Sequence, residues 1–311
     1  LKAGKGRRAS RAWLGALAVV AIAGWVGCRA SGSFDASGYH NALAAYTVRY
    51  AEPAERSLLS SDWVVENFYS DDKGAPTQAK IEPHLKRDVK VELADGSTST
   101  LSLDLYDLKL VHKASDAVIW LRSIPLSPRQ PNVALRVLAD EYAESISGAG
   151  FFASDLGTRH VESRTYASHV LSGRPVQVAG LEAYETTIEV ANVDQLKLDP
   201  ASRVAMVRVV LVRTPLWIWT PTQAVKLPLL WMVGYANNPI DFEPQSGDFV
   251  RFLGLIDQNG SHGFSVFPSG SASAPASAPA PASASASAPA PASAPTSASA
   301  PATAPAPSTP F

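Results

Sequence analysis

The chain has 311 residues, with 27 Lys and Arg against 28 Asp and Glu and a single cysteine. Five of the basic residues (Lys2, Lys5, Arg7, Arg8 and Arg11) lie within residues 1–27, and no acid precedes Asp35; without these five, 22 basic residues face 28 acidic ones, a formal charge of −6. That balance offers no basic field for nucleic acid, so a nucleic-acid partner is not expected. One cysteine excludes an internal disulfide, a C-x-x-C redox pair and a cysteine zinc site.

The first 27 residues have the three parts of an export signal. A basic stretch to Arg11 precedes an apolar run, Trp13 to Gly27 (WLGALAVVAIAGWVG), and then a small residue stands before Cys28. As a helix, this run would span about 22 Å, short of the roughly 30 Å hydrocarbon layer, which suits a signal core better than a permanent span. Trp25-Val26-Gly27-Cys28 resembles the lipobox of bacterial lipoproteins. Val26, Gly27 and Cys28 match that motif, whereas Trp25 stands where leucine is usual. The resemblance implies cleavage before Cys28, a diacylglyceryl thioether on its sulfur and an acylated amine, hence membrane lipid as the partner at Cys28. A short uncleaved anchor and simple secretion are the alternatives. Arg29, in place of the aspartate of an inner-membrane retention signal, implies by the same resemblance the outer rather than the inner membrane of a bacterial envelope.

The expected domains are a signal over 1–27, a short linker over 28–38 after the lipidated cysteine, a globular domain over 39–268 and a tail over 269–311. Strand signals dominate the globular part. Ala44 to Tyr50 and Trp63 to Tyr69 are β-branched and aromatic runs. Val89 to Leu93 alternates, Asp95-Gly96 supplies a hairpin turn, and a long strand follows over Leu101 to Val111. Ala117 to Leu121 is the next strand, ended by Pro125 and Pro128. From Val133 to Ile146 the apolar period changes to three or four, which predicts a helix of about 15 residues behind Pro131-Asn132 and before Gly148.

Strands then return at Tyr166 to Leu171, Ala183 to Val190, Val204 to Arg213 and Leu229 to Tyr235, with turns at Gly173 to Pro175 and Asp199-Pro200. Phe249, Phe252, Leu253 and Ile256 mark a closing helix. The expected class is α+β: a mainly antiparallel sheet with about two helices packed on it. This order, ending in an apolar strand to Tyr235, a loop with Pro239, Asp241 and Phe242, and then the Asp248–Ile256 helix, resembles the PsbP/Mog1-like α/β sandwich. The resemblance covers most of residues 40 to 257 and carries no chemical motif. Its members are mainly binding or assembly proteins, many of them lipoproteins.

From Ser269 to Phe311 the chain is Ala, Ser, Pro and Thr with one Gly, and has no charge. With no long apolar side chain before its last residue, it is expected to be disordered and partly polyproline II, reaching on the order of 130 Å when extended. An inert tail and a spacer through wall material both fit.

Motifs for catalysis are absent from the sequence. His160 and His169 lack a partner at metal-ligand spacing, and Ser168-His169 are adjacent without the geometry of a nucleophile and its base. Asp71-Asp72 and Asp140-Glu141 lack calcium-loop spacing, and Gly148-Ala149-Gly150 follows a helix rather than opening one. No catalytic residue, cofactor or metal is expected. Pro215-Leu216-Trp217-Ile218-Trp219-Thr220-Pro221 sets Trp217 and Trp219 at period two between prolines. They form either an aromatic patch for a partner on a loop or edge, or core residues of a long hairpin. The expected function is a non-catalytic, membrane-anchored envelope lipoprotein that binds or assembles a partner. The alternatives are a small-ligand-binding lipoprotein and an unrecognised hydrolase.

Overall fold

The computed structural model describes residues 32–267, apart from 43, 81–85, 129–130, 148–154, 156–164, 200 and 220–225. Cys28, the signal, His160, Gly148–Gly150 and the tail lie outside these residues.

The first elements are short strands, β1 (Gly32–Phe34), β2 (Gly38–Asn41) and β3 (Tyr46–Arg49). β1 falls within the stretch 28–38, and Phe34 packs among Tyr39, Tyr50 and Phe68. Trp63 to Tyr69 is not one strand. It divides into β4 (Trp63–Val65) and β5 (Phe68–Ser70), since Asn67 turns inward to bond the backbone of Tyr106, Asp107 and Lys109. β5 pairs with β6 (Pro76–Ala79). The hairpin at Asp95-Gly96 forms as read, between β7 (Lys86–Glu92) and β8 (Thr98–Asp104), with the Asp95 carboxylate accepting the Ser97 N–H at 2.9 Å.

The run from Leu101 to Val111 also breaks. Residues 105–107 separate β8 from β9 (Leu108–His112), and the two strands join different sheets. β10 (Val118–Pro125) extends beyond Leu121 and carries Arg122 into the interior. The helix α1 (Leu135–Ile146) buries Leu135, Ala139, Tyr142, Ala143 and Ile146, a single face at helical spacing. Arg213 holds its entrance by donating to the carbonyls of Pro131 and Val133.

β11 (Tyr166–Val178) passes straight through the expected turn at Gly173 to Pro175, with a bulge between Val170 and Ser172. The chain reverses instead at Ala179-Gly180, where both φ angles are positive (50° and 75°), as a two-residue turn into β12 (Leu181–Asn192) requires. The remaining elements are α2 (Val193–Leu196), β13 (Ala205–Trp219), β14 (Lys226–Asn237), α3 (Phe242–Leu255), β15 (Ile256–Gln258), β16 (Ser261–His262) and β17 (Phe264–Val266).

The α+β, PsbP/Mog1-like expectation gives way to a strand-dominated, sandwich-like architecture. Seventeen strands stand against three helices among the described residues. The main sheet is antiparallel, in the order β17-β11-β12-β13-β14-β10-β9-β4, and a second sheet runs β1-β2-β3-β15-β16. The physical reason lies in the two faces of the main sheet. Alternate residues of β10, β13 and β14 enter two separate cores, both apolar, so each face needs a cover.

Val118, Trp120, Val209 and Met232 meet α1. Ile119, Val210, Trp231 and Tyr235 meet the second sheet and the Phe249–Phe252 face of α3. The second sheet is what the sequence pattern did not show, because its strands are two to four residues long. Gly234 sits within the central strand for a steric reason: a Cβ there would lie 2.1 Å from the Trp120 ring of the neighbouring β10.

Candidate functional site

The most concentrated chemistry in the fold lies where residues 105–107 pass between the two sheets. Tyr106 and Asp107 in this connection reach opposite sides, as do Arg122 and Ser123, which alternate on β10. On the α1 side, Arg122 and Asp155 form an ion pair with both side chains fully buried. Tyr106 donates to Asp155 Oδ1 at 2.6 Å and Tyr142 donates to Oδ2 at 3.0 Å. The guanidinium also lies 4.9 Å from the Tyr106 ring centre.

On the other side, Asp107 Oδ2 accepts from Ser123 at 2.5 Å and from Tyr46 at 3.0 Å, and Asn41 Nδ2 donates to the Tyr46 hydroxyl. Arg87 closes the end of the network, donating to the Ser123 carbonyl at 2.7 Å. Burial and the adjacent Arg122 charge pull the Arg87 guanidinium down to about 10. Burial pushes the Tyr46 and Tyr142 phenols well above their ordinary value, with the nearby carboxylates adding to the effect.

This arrangement is suited to holding rather than reacting. A nucleophile or general base needs a free lone pair facing substrate. Here each Asp155 oxygen accepts a phenol proton, Arg122 neutralises the charge, and the whole cluster is sealed from solvent. A saturated buried carboxylate fixes chain segments in place, in this case joining α1, β10 and the 105–107 connection.

Two serine–histidine contacts occur among the described residues, and neither has the shape of a catalytic pair. His40, on β2, has Nε2 2.9 Å from both Asp35 and Ser37 of the preceding turn, while Nδ1 lies 3.0 Å from Thr47. Ser37 donates to Asp35 itself at 2.8 Å, so the carboxylate and the hydroxyl share one nitrogen in place of flanking the ring. Bonds from the Ser37 backbone and hydroxyl lower Asp35 to about 2, an exposed turn locked by its own aspartate. His112 meets Ser115 at 2.9 Å in the loop between β9 and β10. That loop borders an open depression of about 340 Å³ lined by His112, Lys113, Ser115 and Asp116 beside Val64 and Val111, and the Ser115 hydroxyl also lies 3.0 Å from Gln245 Oε1 as its donor.

His169 is exposed on β11, and Ser168 turns away from it to bond the Ala143 carbonyl and Ser147. Asp71 closes a local turn onto Lys73 and Ala75, and Asp140 sits on the outer face of α1, 3.9 Å from Arg136. Among the described residues, no group of three His, Cys, Asp or Glu could hold a metal ion. No helix among them is long and apolar enough to cross a membrane.

Trp217 and Trp219 fall at the far end of β13, opposite Pro228 and Lys226 of β14; their side chains lie outside the described ones. The prolines do not end the strand, because the register shifts between Arg213 and Trp217 and so absorbs Pro215. β12 stops pairing with β13 at Val212, and β10 stops pairing with β14 at Leu229. Residues 217–219 and 226–228 therefore form a two-stranded arm that extends past the neighbouring strands. Leu227, opposite Ile218, is fully buried, so the arm's base is tied to the core.

The buried cluster escaped the sequence reading. Its one visible signal was Arg122, a charge inside the apolar run Val118–Pro125, while its partner lies 33 residues further on. No protein-family model matches the chain, and a comparison with curated proteins finds no significant relative.

Proposed function

We propose that this chain is a lipid-anchored envelope protein that acts without catalysis, binding or assembling a partner through the arm that carries Trp217 and Trp219. The observation that carries the reading is the Val26-Gly27-Cys28 sequence directly behind a basic and apolar leader. Several acyl chains at about 0.8 kcal/mol per buried CH₂ give lasting attachment to a bilayer. Support for a binding role comes from chemistry already committed to the fold: the buried carboxylates of Asp107 and Asp155 accept from tyrosines, serine and arginine. The two depressions beside β4 are open, unlike the enclosed sites that bury small ligands. Tryptophans at the end of a long hairpin suit a protein interface, where an indole brings large apolar area and one N–H donor.

The test is purification of the lipidated protein from membranes, with mass spectrometry of Cys28 and of co-purifying proteins. A diacylglyceryl-modified Cys28 and a partner lost from the Trp217→Ala, Trp219→Ala variant are expected. An uncut leader with unmodified Cys28 overturns anchoring, and a partner retained by the folded double variant overturns the arm.

A further inference from the structure

Four residue steps separate Cys28 from Gly32, the first residue of β1. A fully extended chain advances at most about 3.6 Å per residue, so Gly32 lies within about 14 Å of an acylated Cys28. A domain of this size has a radius of gyration of about 17 Å, so such a tether is shorter than the body it holds. β1 cannot pay out more chain, because it is built into the fold. It pairs along its length with β2, and the Tyr39 ring packs so closely on Gly32 that a Cβ there would meet the phenol oxygen at 2.1 Å. Phe34 makes an edge contact of 4.9 Å with Phe68.

Beside this clamped strand lies a shallow groove of about 370 Å³ bordered by Val64, Phe68, Tyr69, Ser70 and Lys80. Phe68 faces inward to Phe34, and Tyr69, the next residue, is 52% exposed with Lys80 Nζ 5.8 Å from its ring. An exposed tyrosine with a lysine over it matches the bilayer interface, where the ring sits at headgroup depth and the ammonium reaches phosphate. The one acid of the groove, Glu66, is paired with Lys109 at 2.6 Å. Arg29 adds a second cation within the tether.

We propose that the domain lies flush on the membrane in one orientation, with the groove beside β1 against the lipid headgroups through Tyr69 and Lys80. This rests on the reading of Cys28 as the lipid anchor.

The test uses the full lipidated chain in phospholipid vesicles that contain an anionic lipid and a lipid-borne quencher. A fluorophore is placed through Ser70→Cys at the groove, or through Leu198→Cys as the distant control, Cys28 being blocked by its lipid. Leu198 is 88% exposed and follows α2, at least four strands from β4, which is about 20 Å at 4.8 Å per strand. Several-fold stronger quenching at position 70 than at 198 is the expected result. Equal quenching at the two positions, or none at 70, with mass spectrometry showing lipid on Cys28, overturns the orientation and leaves the anchor standing. Unmodified Cys28 overturns both.

Discussion

Removing the Asp155 carboxylate tests whether the buried cluster holds the fold. Asp155 and Arg122 are both fully buried, so Asp155→Ala strips the guanidinium of its ion-pair partner in a site that water does not reach. Breaking such a pair from one side costs about 3–5 kcal/mol. The Tyr106 and Tyr142 hydroxyls lose their acceptor as well, at about 1 kcal/mol each. The total is about 5–7 kcal/mol, comparable to the whole stability of an ordinary domain at about 5–15 kcal/mol. Asp155→Ala is therefore expected to be largely unfolded or to melt at far lower urea. The assay is urea unfolding followed by tryptophan fluorescence, in a Cys28→Ser background that stays in solution. Replacing both partners, Arg122→Met with Asp155→Leu, removes charge and counter-charge together and is expected to recover most of the loss. If Asp155→Ala unfolds within about 0.5 kcal/mol of the parent, as a surface substitution would, the cluster does not hold the fold.

Gly234→Ala forces a methyl to 2.1 Å from the Trp120 ring and is expected to cost at least about 1–3 kcal/mol by the same urea assay. Adding Trp120→Leu makes room, so the double variant should lose less than the sum of the singles by more than about 1 kcal/mol; strict additivity contradicts the close approach. Ala179→Gly removes a left-handed alanine (φ 50°) from the β11–β12 turn and is expected to raise stability by about 0.5 kcal/mol, the strain relieved exceeding the entropy added. At alkaline pH, burial pushes the Tyr235 phenol to about 12 and those of Tyr39, Tyr46 and Tyr142 well above their ordinary value of 10. A raised phenol disfavours the anion in the fold, so stability present below pH 10 falls as pH climbs from 10 towards 12, where the unfolded tyrosines ionise. A phenolate absorbance titration should show these four ionising only with unfolding; a smooth titration near pH 10 in the folded chain contradicts their burial.

How much was legible in the sequence depended on the range of the interaction. The hairpin at Asp95-Gly96, the strands β12 to β14 and both long helices follow from local period and turn chemistry, and all are present. The turn expected at Gly173 to Pro175 failed because the bulge at Val170–Ser172, and Gly173 making room for the Tyr184 ring, let β11 run through it. Trp63 to Tyr69 reads as one strand by propensity, yet Asn67 breaks it by bonding a segment some 40 residues away. Arg122 declared itself as a charge in an apolar strand, but nothing local could name Asp155, Tyr106 and Tyr142 as its surroundings.

The sequence by itself determined a basic and then apolar first stretch ending at Cys28, the uncharged tail, the negative balance of what lies between, and a core rich in strands. These are matters of composition and short-range order, and they need no contact between distant residues. Only the tertiary structure decided that a second sheet of very short strands covers the main one, because such strands are too brief to leave a period and exist only when paired. It also decided where the charges went: burial of an ion pair depends on which strands meet, and that is settled by packing across the whole chain.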